Sequence, residues 1–345
     1  MNLLLATVIP FIITLVAMQK FIPMLKRLKF GQTIYEKGPA HAKKQGTPNM
    51  GGVLFGTVTV VSTIVATILY YFFQYNKGEG VDNFWHFQNT LYPLLFVVVG
   101  SMTIGFLDDY IKDVKKRHDG LSPKQKIIGQ TLVGILFSTY CYFFVGSDIL
   151  LPFTQKTLDF GILYIPLMTL VVIFMTNSAN LQDGLDGLLS SVTIVAMGAF
   201  LIITTNIRTM PGINGEGMMV LSFACSTLLG AILGFFCFNR YPAKIFMGDT
   251  GSMFVGGMMV GVAMLTKTVF PMVLICFTCI MSSVSVMMQV TYFKLTKGKR
   301  IFKMSPIHHH FELCDMSENQ IVVMYCVISI ILSSIAIFSI NGFMG

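Results

Sequence analysis

Ten runs of apolar residues leave this chain few ways to fold. They span approximately 3–25, 51–74, 91–108, 127–146, 159–177, 187–206, 217–236, 246–265, 269–293 and 321–341. A helix needs about 20 such residues to cross the hydrocarbon of a bilayer. In that medium the backbone must satisfy its own hydrogen bonds, so a chain with long continuous apolar runs crosses as helices. The expected fold is therefore all-α: a polytopic membrane protein built as a bundle of about ten transmembrane helices. Charged residues make up only 12% of the chain, about half the usual share of a soluble domain. No separate soluble domain is visible, and residues 1–345 read as one integral membrane domain. The run from Leu3 has no basic residues ahead of it and no small-residue cleavage site, so it reads as the first span and not as a removable signal.

Charge gives the orientation. Nineteen of the 24 Lys and Arg residues fall in the odd-numbered loops, including Lys26, Lys44, Lys112, Lys116, Lys126, Lys244 and Lys303. The even-numbered loops hold only Lys77, Lys156, Arg208 and Lys267. The positive-inside rule makes the odd loops cytoplasmic and puts both termini outside. These loop lysines account for the net charge of +8 without any nucleic-acid partner. They also suit a bilayer with anionic lipids, or an anionic substrate.

Every polar cluster of note lies in an odd loop, which predicts a cytoplasmic-face active site. The stretch Gly105-Phe-Leu-Asp108-Asp109-Tyr-Ile-Lys112 closes the third run with two adjacent carboxylates. One charged Asp at the centre of a membrane helix costs roughly 2.5–3.5 kcal/mol, so the pair belongs at the water edge or in a wet cavity. Asp108 and Lys112 are one helical turn apart and share a face. Lys44 precedes Gly46-Thr-Pro-Asn-Met-Gly-Gly52, where exposed backbone N–H groups would suit a phosphate. Asn180, Asp183 and Asp186 recur every three residues in Asn177-Ser-Ala-Asn-Leu-Gln-Asp-Gly-Leu-Asp-Gly187, so a turn or helix start would gather them. Their hard oxygens suit Mg²⁺ or a hydroxyl-rich ligand, and an EF-hand is excluded by spacing. Asn239 opens the loop to Phe246-Met-Gly-Asp249-Thr-Gly-Ser252, in which Asp249 is either an N-cap or an anion-site residue carrying Mg²⁺. His308, His309 and His310 point in different directions on any regular backbone. One or two of them contacting a diphosphate is more plausible chemistry than a three-His zinc site. Gln289 is an amide inside an apolar run. Cys276 and Cys279 read as small buried apolar residues and not as a zinc or redox pair. Carboxylates, amides, lysines and histidines without a Ser-His-Asp signature fit metal-assisted phosphoryl transfer.

These motifs, together with Pro306-Ile-His-His-His-Phe-Glu312, resemble the polyprenyl-phosphate N-acetylhexosamine-1-phosphate transferases across nearly the whole chain. The resemblance implies a bacterial inner-membrane enzyme, usually a homodimer. It implies movement of phospho-N-acetylmuramoyl-pentapeptide from UDP-N-acetylmuramoyl-pentapeptide to undecaprenyl phosphate, with Mg²⁺ as cofactor and lipid I and UMP as products. By the same resemblance Asp249 is the metal ligand, and Asp108, Asp109 and Lys112 are catalytic with it. Asn180, Asp183, Asp186, Phe246 and Gln289 would line the nucleoside region. Lys44, Lys112, Asn239, His308 and His309 would contact phosphate or sugar, with Lys116 a secondary candidate. Asn49 departs from the family pattern, which has Thr there; it keeps hydrogen-bonding capacity at a substrate-side position. Two alternatives stay open. One is a sibling transferase acting on UDP-N-acetylglucosamine. The other is a cation-coupled transporter, whose carboxylates should lie near mid-membrane.

Overall fold

The computed structural model describes residues 2–28, 46–75, 84–114, 120–154, 156–207 and 215–340. It is all-α apart from one small hairpin. In chain order the elements are α1 (Leu3–Arg27), α2 (Gly51–Tyr75), α3 (Phe84–Asp109), α4 (Pro123–Phe144), β1 (Asp148–Leu150), β2 (Thr157–Asp159), α5 (Tyr164–Gln182) and α6 (Leu188–Ile207). They continue with α7 (Gly215–Asn239), α8 (Gly248–Leu265), α9 (Val269–Ile275), α10 (Phe277–Leu295), α11 (Ile307–Glu312) and α12 (Glu318–Ile340). Among the described residues nine helices are long and apolar enough to cross a membrane, or ten when α9 and α10 count as one broken span.

That break corrects one detail of the sequence reading. The ninth apolar run is not one straight helix: it bends by 82° between α9 and α10. Composition is blind to this, because residues on both sides of the bend are apolar. What holds α10 in its new direction is polar. Ser283 pairs with Ser178 of α5 at 2.8 Å, and Gln182 donates to Thr278 at 3.4 Å. Such interhelical hydroxyl and amide bonds act as glue where lipid offers no alternative partner. Helix α3 also starts earlier than its apolar run, at Phe84, with Gln88 and Asn89 inside it, and the candidate span begins at Phe87.

Helix α8 is the axis of the bundle. Every residue from Thr250 to Leu265 is buried, and α8 packs against α2, α3 and α5. Outer helices show the reverse pattern. Ile9, Ile12 and Val16 on α1, and Val323, Val327 and Phe338 on α12, are exposed apolar side chains facing outward from the bundle, as lipid-facing residues would. The two ends of α8 define two faces of the molecule. At its C-terminal end the β1–β2 hairpin docks: Leu150 donates its N–H to Lys267 O at 3.0 Å, and Lys267 pairs with Asp148. Its N-terminal end meets the end of α3, the start of α4 and the end of α5. The described parts of the loops between α1 and α2, α3 and α4, and α5 and α6 thus lie toward one end of α8.

Candidate active site

Three local features build the cluster at that end. A π-helical turn, Tyr110–Val114, continues α3 and keeps Lys112 above Asp108, with Nζ 2.5 Å from Asp108 Oδ2. Helix α4 starts from a capping box: Ser122 accepts from Gln125 N and Gln125 Oε1 accepts from Ser122 N, with Pro123 at the first helical position. This sharp start delivers Lys126 in the first turn, 2.9 Å from the same Asp108 oxygen. Asp249 enters in the first turn of α8, its Oδ2 2.7 Å from Lys126 Nζ and 3.1 Å from Lys112 Nζ. Two carboxylates from distant parts of the chain therefore share two ammonium groups. The remaining oxygens are held as well. Asp108 Oδ1 accepts from Leu121 N at 2.7 Å, and Asp249 Oδ1 accepts from Asn180 Nδ2 at 2.9 Å. Asp108 is fully buried, whereas Lys112 is 38% exposed at its side chain, so the cluster opens to solvent on the Lys112 side.

Asp109 faces elsewhere. Its Oδ1 accepts from Asp249 N at 3.1 Å, and its Oδ2 accepts from Thr250 N at 2.8 Å and Thr250 Oγ1 at 2.6 Å. Asn49 Nδ2 lies 3.4 Å from Asp109 Oδ1 and donates to Asp113 Oδ2 at 3.1 Å. Close backbone approach makes this possible. A Cβ on Gly105 would fall 2.2 Å from Asp249 O, and one on Gly52 would fall 2.2 Å from Gly251 Cα. The loop before α2 then lies along the entry to α8: Phe246 N donates to Pro48 O, and Gly51 N and Gly52 N donate to Phe246 O and Met247 O, all at 2.8–2.9 Å. Asp249 is thus not an N-cap; α8 begins one residue before it, after Met247.

The other sequence candidates fall into two groups. Asn180 joins the cluster directly, Asp183 feels the charges of Asp249 and Asp109, and His308 sits against Gly184, next to Asp183. Asp183 ends α5; burial pushes its carboxyl up to about 8, and the negative charges of Asp249, Asp109 and Asp186 add to the effect. His308 is fully buried against Gly184, and neither ring nitrogen meets a hydrogen-bond partner among the described residues. Burial, with His309 beside it, holds its imidazole well below the usual His range. His309 pairs with Glu312 at 2.6 Å. Phe246 is half-buried beside the entry to α8.

The second group holds loops. Asp186 accepts from Ala243 N at 2.9 Å. Asn239 accepts from Ser190 Oγ at 2.6 Å and donates to Ile245 O at 3.0 Å. Gln289 accepts from Ile301 N and Phe302 N and donates to Phe302 O, fixing the segment after α10. The three-residue spacing of Asn180, Asp183 and Asp186 therefore does not gather them on one point, because α5 ends between the first and the last. Lys44 and Lys116 lie outside the described residues. Cys276 and Cys279 are buried, as expected of small apolar residues.

Sequence reading passed over Lys126 as one more loop cation. The Ser122-Pro123 helix start was the available signal, since it fixes where α4 begins and so which turn carries Lys126. It also passed over Asp113, whose link to Asn49 has no local signature.

Among the described residues no three His, Cys, Asp or Glu side chains gather as a ready metal site. What the cluster offers a cation is a pair of carboxylate oxygens, Asp108 Oδ2 and Asp249 Oδ2, already converging on positive charge. That donor set fits Mg²⁺, which is commonly bound through one or two carboxylates, substrate phosphates and water.

A polytopic helical bundle with carboxylates, lysines and an asparagine converging at one end of its central helix fits a membrane-embedded transferase. A family model described as glycosyl transferase family 4 matches residues 91–267, from within α3 to just beyond α8. The chain is 41% identical over 338 residues to the phospho-N-acetylmuramoyl-pentapeptide-transferase of Bacillus licheniformis, covering 97% of each chain. It is 41% identical over 330 residues to that of Bacillus subtilis, covering 95% of this chain and 94% of the relative. Identity to the Thermoanaerobacter enzyme of the same name is 39% over 341 residues, 99% of each. The chain belongs to glycosyl transferase family 4 and, by similarity along nearly its whole length, to the phospho-N-acetylmuramoyl-pentapeptide-transferases.

Proposed function

We propose that the protein transfers phospho-N-acetylmuramoyl-pentapeptide from its UDP conjugate to undecaprenyl phosphate in the bacterial inner membrane. The products are lipid I and UMP, and the site faces the cytoplasm. The observation that carries this reading is the convergence of Asp108 and Asp249 on the same two lysines. Reactions at a diphosphate demand positioning and charge neutralisation more than covalent chemistry, and this cluster offers both. The lysine-rich side of the chain supports the cytoplasmic orientation.

Asp249, with Asp108 beside it, would hold Mg²⁺. The metal would supply charge neutralisation at the diphosphate. In the step itself an oxygen of the lipid phosphate forms a bond to the β-phosphorus of the nucleotide. The bond from that phosphorus to the bridging oxygen breaks, and UMP leaves with the electron pair. Lys112 and Lys126 steady the phosphate oxygens as charge shifts, and Asp108 orients both ammonium groups. A phosphate monoester has a second pKa of about 6, so the acceptor is mostly dianionic at pH 7 and needs little help losing a proton. Direct attack therefore suffices without a covalent carboxylate intermediate. His308, kept neutral by burial, is suited to hydrogen-bond the sugar or nucleotide.

Purified protein should release UMP from UDP-N-acetylmuramoyl-pentapeptide only when Mg²⁺ and undecaprenyl phosphate are both present. Release from UDP-N-acetylglucosamine instead would identify the sibling transferase, and no release from either would refute the reading. Trapping a phosphosugar on Asp108 without lipid acceptor would overturn direct attack. The homodimer implied by the family resemblance is tested by mass measurement in detergent.

A further inference from the structure

Helix α8 lacks a cap of its own at its N-terminus. Its N-cap residue, Met247, makes no side-chain cap, yet the first N–H groups of any helix require acceptors. Here Thr250 is buried and Asp249 partly so, where an unmet donor is expensive. The acceptor comes from another helix. Asp109, 1% exposed at the end of α3, takes Asp249 N on Oδ1 and both Thr250 N and Thr250 Oγ1 on Oδ2, with Asn49 Nδ2 near Oδ1. A carboxylate has about four lone-pair positions, and these four donors use them. Both oxygens are thus committed to the entry of α8 and the loop before α2.

Helix geometry explains how neighbours come to have separate tasks. Successive helical residues point about 100° apart, so Asp108 faces the lysines while Asp109 faces α8. Gly105, one turn before Asp109, lies on the same side as the α8 entry and permits the contact. We propose that Asp109 is a positioning residue. By capping α8 from α3 it fixes the backbone of Asp249 and so aims the Asp249 carboxylate at the lysine pair. This takes the place of the catalytic role that family resemblance implies for Asp109, and it rests on the function proposed above.

The test is a double-mutant cycle between Asp109→Asn and Thr250→Val, because Thr250 has no titratable group and acts on Asp109 alone in this scheme. Measured quantities are kcat for UMP release, KM for the nucleotide, the pH dependence of kcat and the unfolding midpoint of ligand-free protein. Thr250→Val should lower kcat about tenfold and Asp109→Asn about a hundredfold, the scale of a small misplacement of a reacting group. KM should hold, and the pH profile should keep its shape. The double variant should fall no further than Asp109→Asn, since the two residues share one contact. Thr250→Ser, which restores the hydroxyl, should recover most of the kcat. Wild-type kcat and midpoint in Thr250→Val, or independent losses that multiply, would overturn the proposal. If Asp109→Asn does not fold, the Thr250→Val and Thr250→Ser pair decides alone. If wild-type protein releases no UMP, the functional reading fails separately; the cycle is then scored on unfolding midpoints, where additive losses sink the cap.

Discussion

The two ends of α8 each carry aspartate beside lysine, and they differ in how the charges are shared. At the hairpin end the arrangement is one to one: Lys267 Nζ sits 2.5 Å from Asp148 Oδ1, with both side chains about a quarter to a third exposed. At the other end Asp108 and Asp249 divide Lys112 and Lys126 between them, and Asp108 is fully buried. A single surface pair is closed and contributes little, about 0–1 kcal/mol. A shared, half-sheltered set is different. Each carboxylate touches both ammonium groups, so under the proposed function an incoming phosphate would take over the lysines while a cation takes over the carboxylates. On that reading the cluster is built for recognition, whereas the hairpin pair fastens a loop.

The sharpest way to break this distinction is Asp249→Asn. Asn can still accept from Asn180, so the fold should persist, as size-exclusion profiles would show. UMP release should fall about 10³-fold, the scale of removing one preorganised electrostatic contact at a reacting centre. Activity within tenfold of wild type would mean that the shared cluster is structural after all. Lys126→Met comes next. It removes one of the two ammoniums common to both carboxylates, and kcat/KM should drop about a hundredfold. Lys112 alone cannot neutralise both acids, so a normal kcat/KM would show that one lysine suffices.

Lys126 also marks where sequence reading ran out. The spans were legible because lipid imposes one simple demand on composition. The grouping of polar loops at one end was legible because lysine placement records topology. Asp108, Asp249 and Asn180 stand in distinctive motifs, and the structure joins them by direct contact. The loop contacts of Asp186, Asn239 and Gln289 were not legible: they join Ala243 N, Ile245 O and Phe302 O to residues 6 to 57 positions away, and no local pattern records them. The 82° bend after α9 was hidden for a related cause: its bonds connect Ser283 and Thr278 to residues about a hundred positions away.

Proton binding should sharpen the contrast further. At the site end, burial and neighbouring carboxylates push Asp183 up to about 8. At the hairpin end, Asp159 is exposed and accepts from Ser147 Oγ and Gly161 N, which holds its carboxyl below the usual range. The signs follow from linkage. Asp183 binds its proton more tightly folded than unfolded, so its contribution is present below the unfolded value and is lost as pH rises toward 8. Asp159 behaves in the opposite sense, contributing above its unfolded value and losing that as pH falls through the folded one. In metal-free protein, Asp183→Asn should raise the unfolding midpoint at pH 8 and leave it nearly unchanged at pH 4. A gain that is equal at both pH values would remove the buried charge from the explanation.

The smallest effect belongs to the hairpin pair, and it controls for all the others. Lys267→Met deletes an ammonium at the far end of the same helix, as Lys126→Met does at the near end. Leu150 N still donates to Lys267 O, because that bond uses only the backbone, so the hairpin keeps its main tether. Stability should change by about 0–1 kcal/mol, the range for a partly exposed pair, and UMP release should stay within about twofold of wild type, as for a surface change remote from the reacting groups. A much larger loss of activity would mean that charge at either end of α8 reaches the reaction through the helix. The contrast between a closed pair and a shared cluster would then no longer explain why only one end carries chemistry.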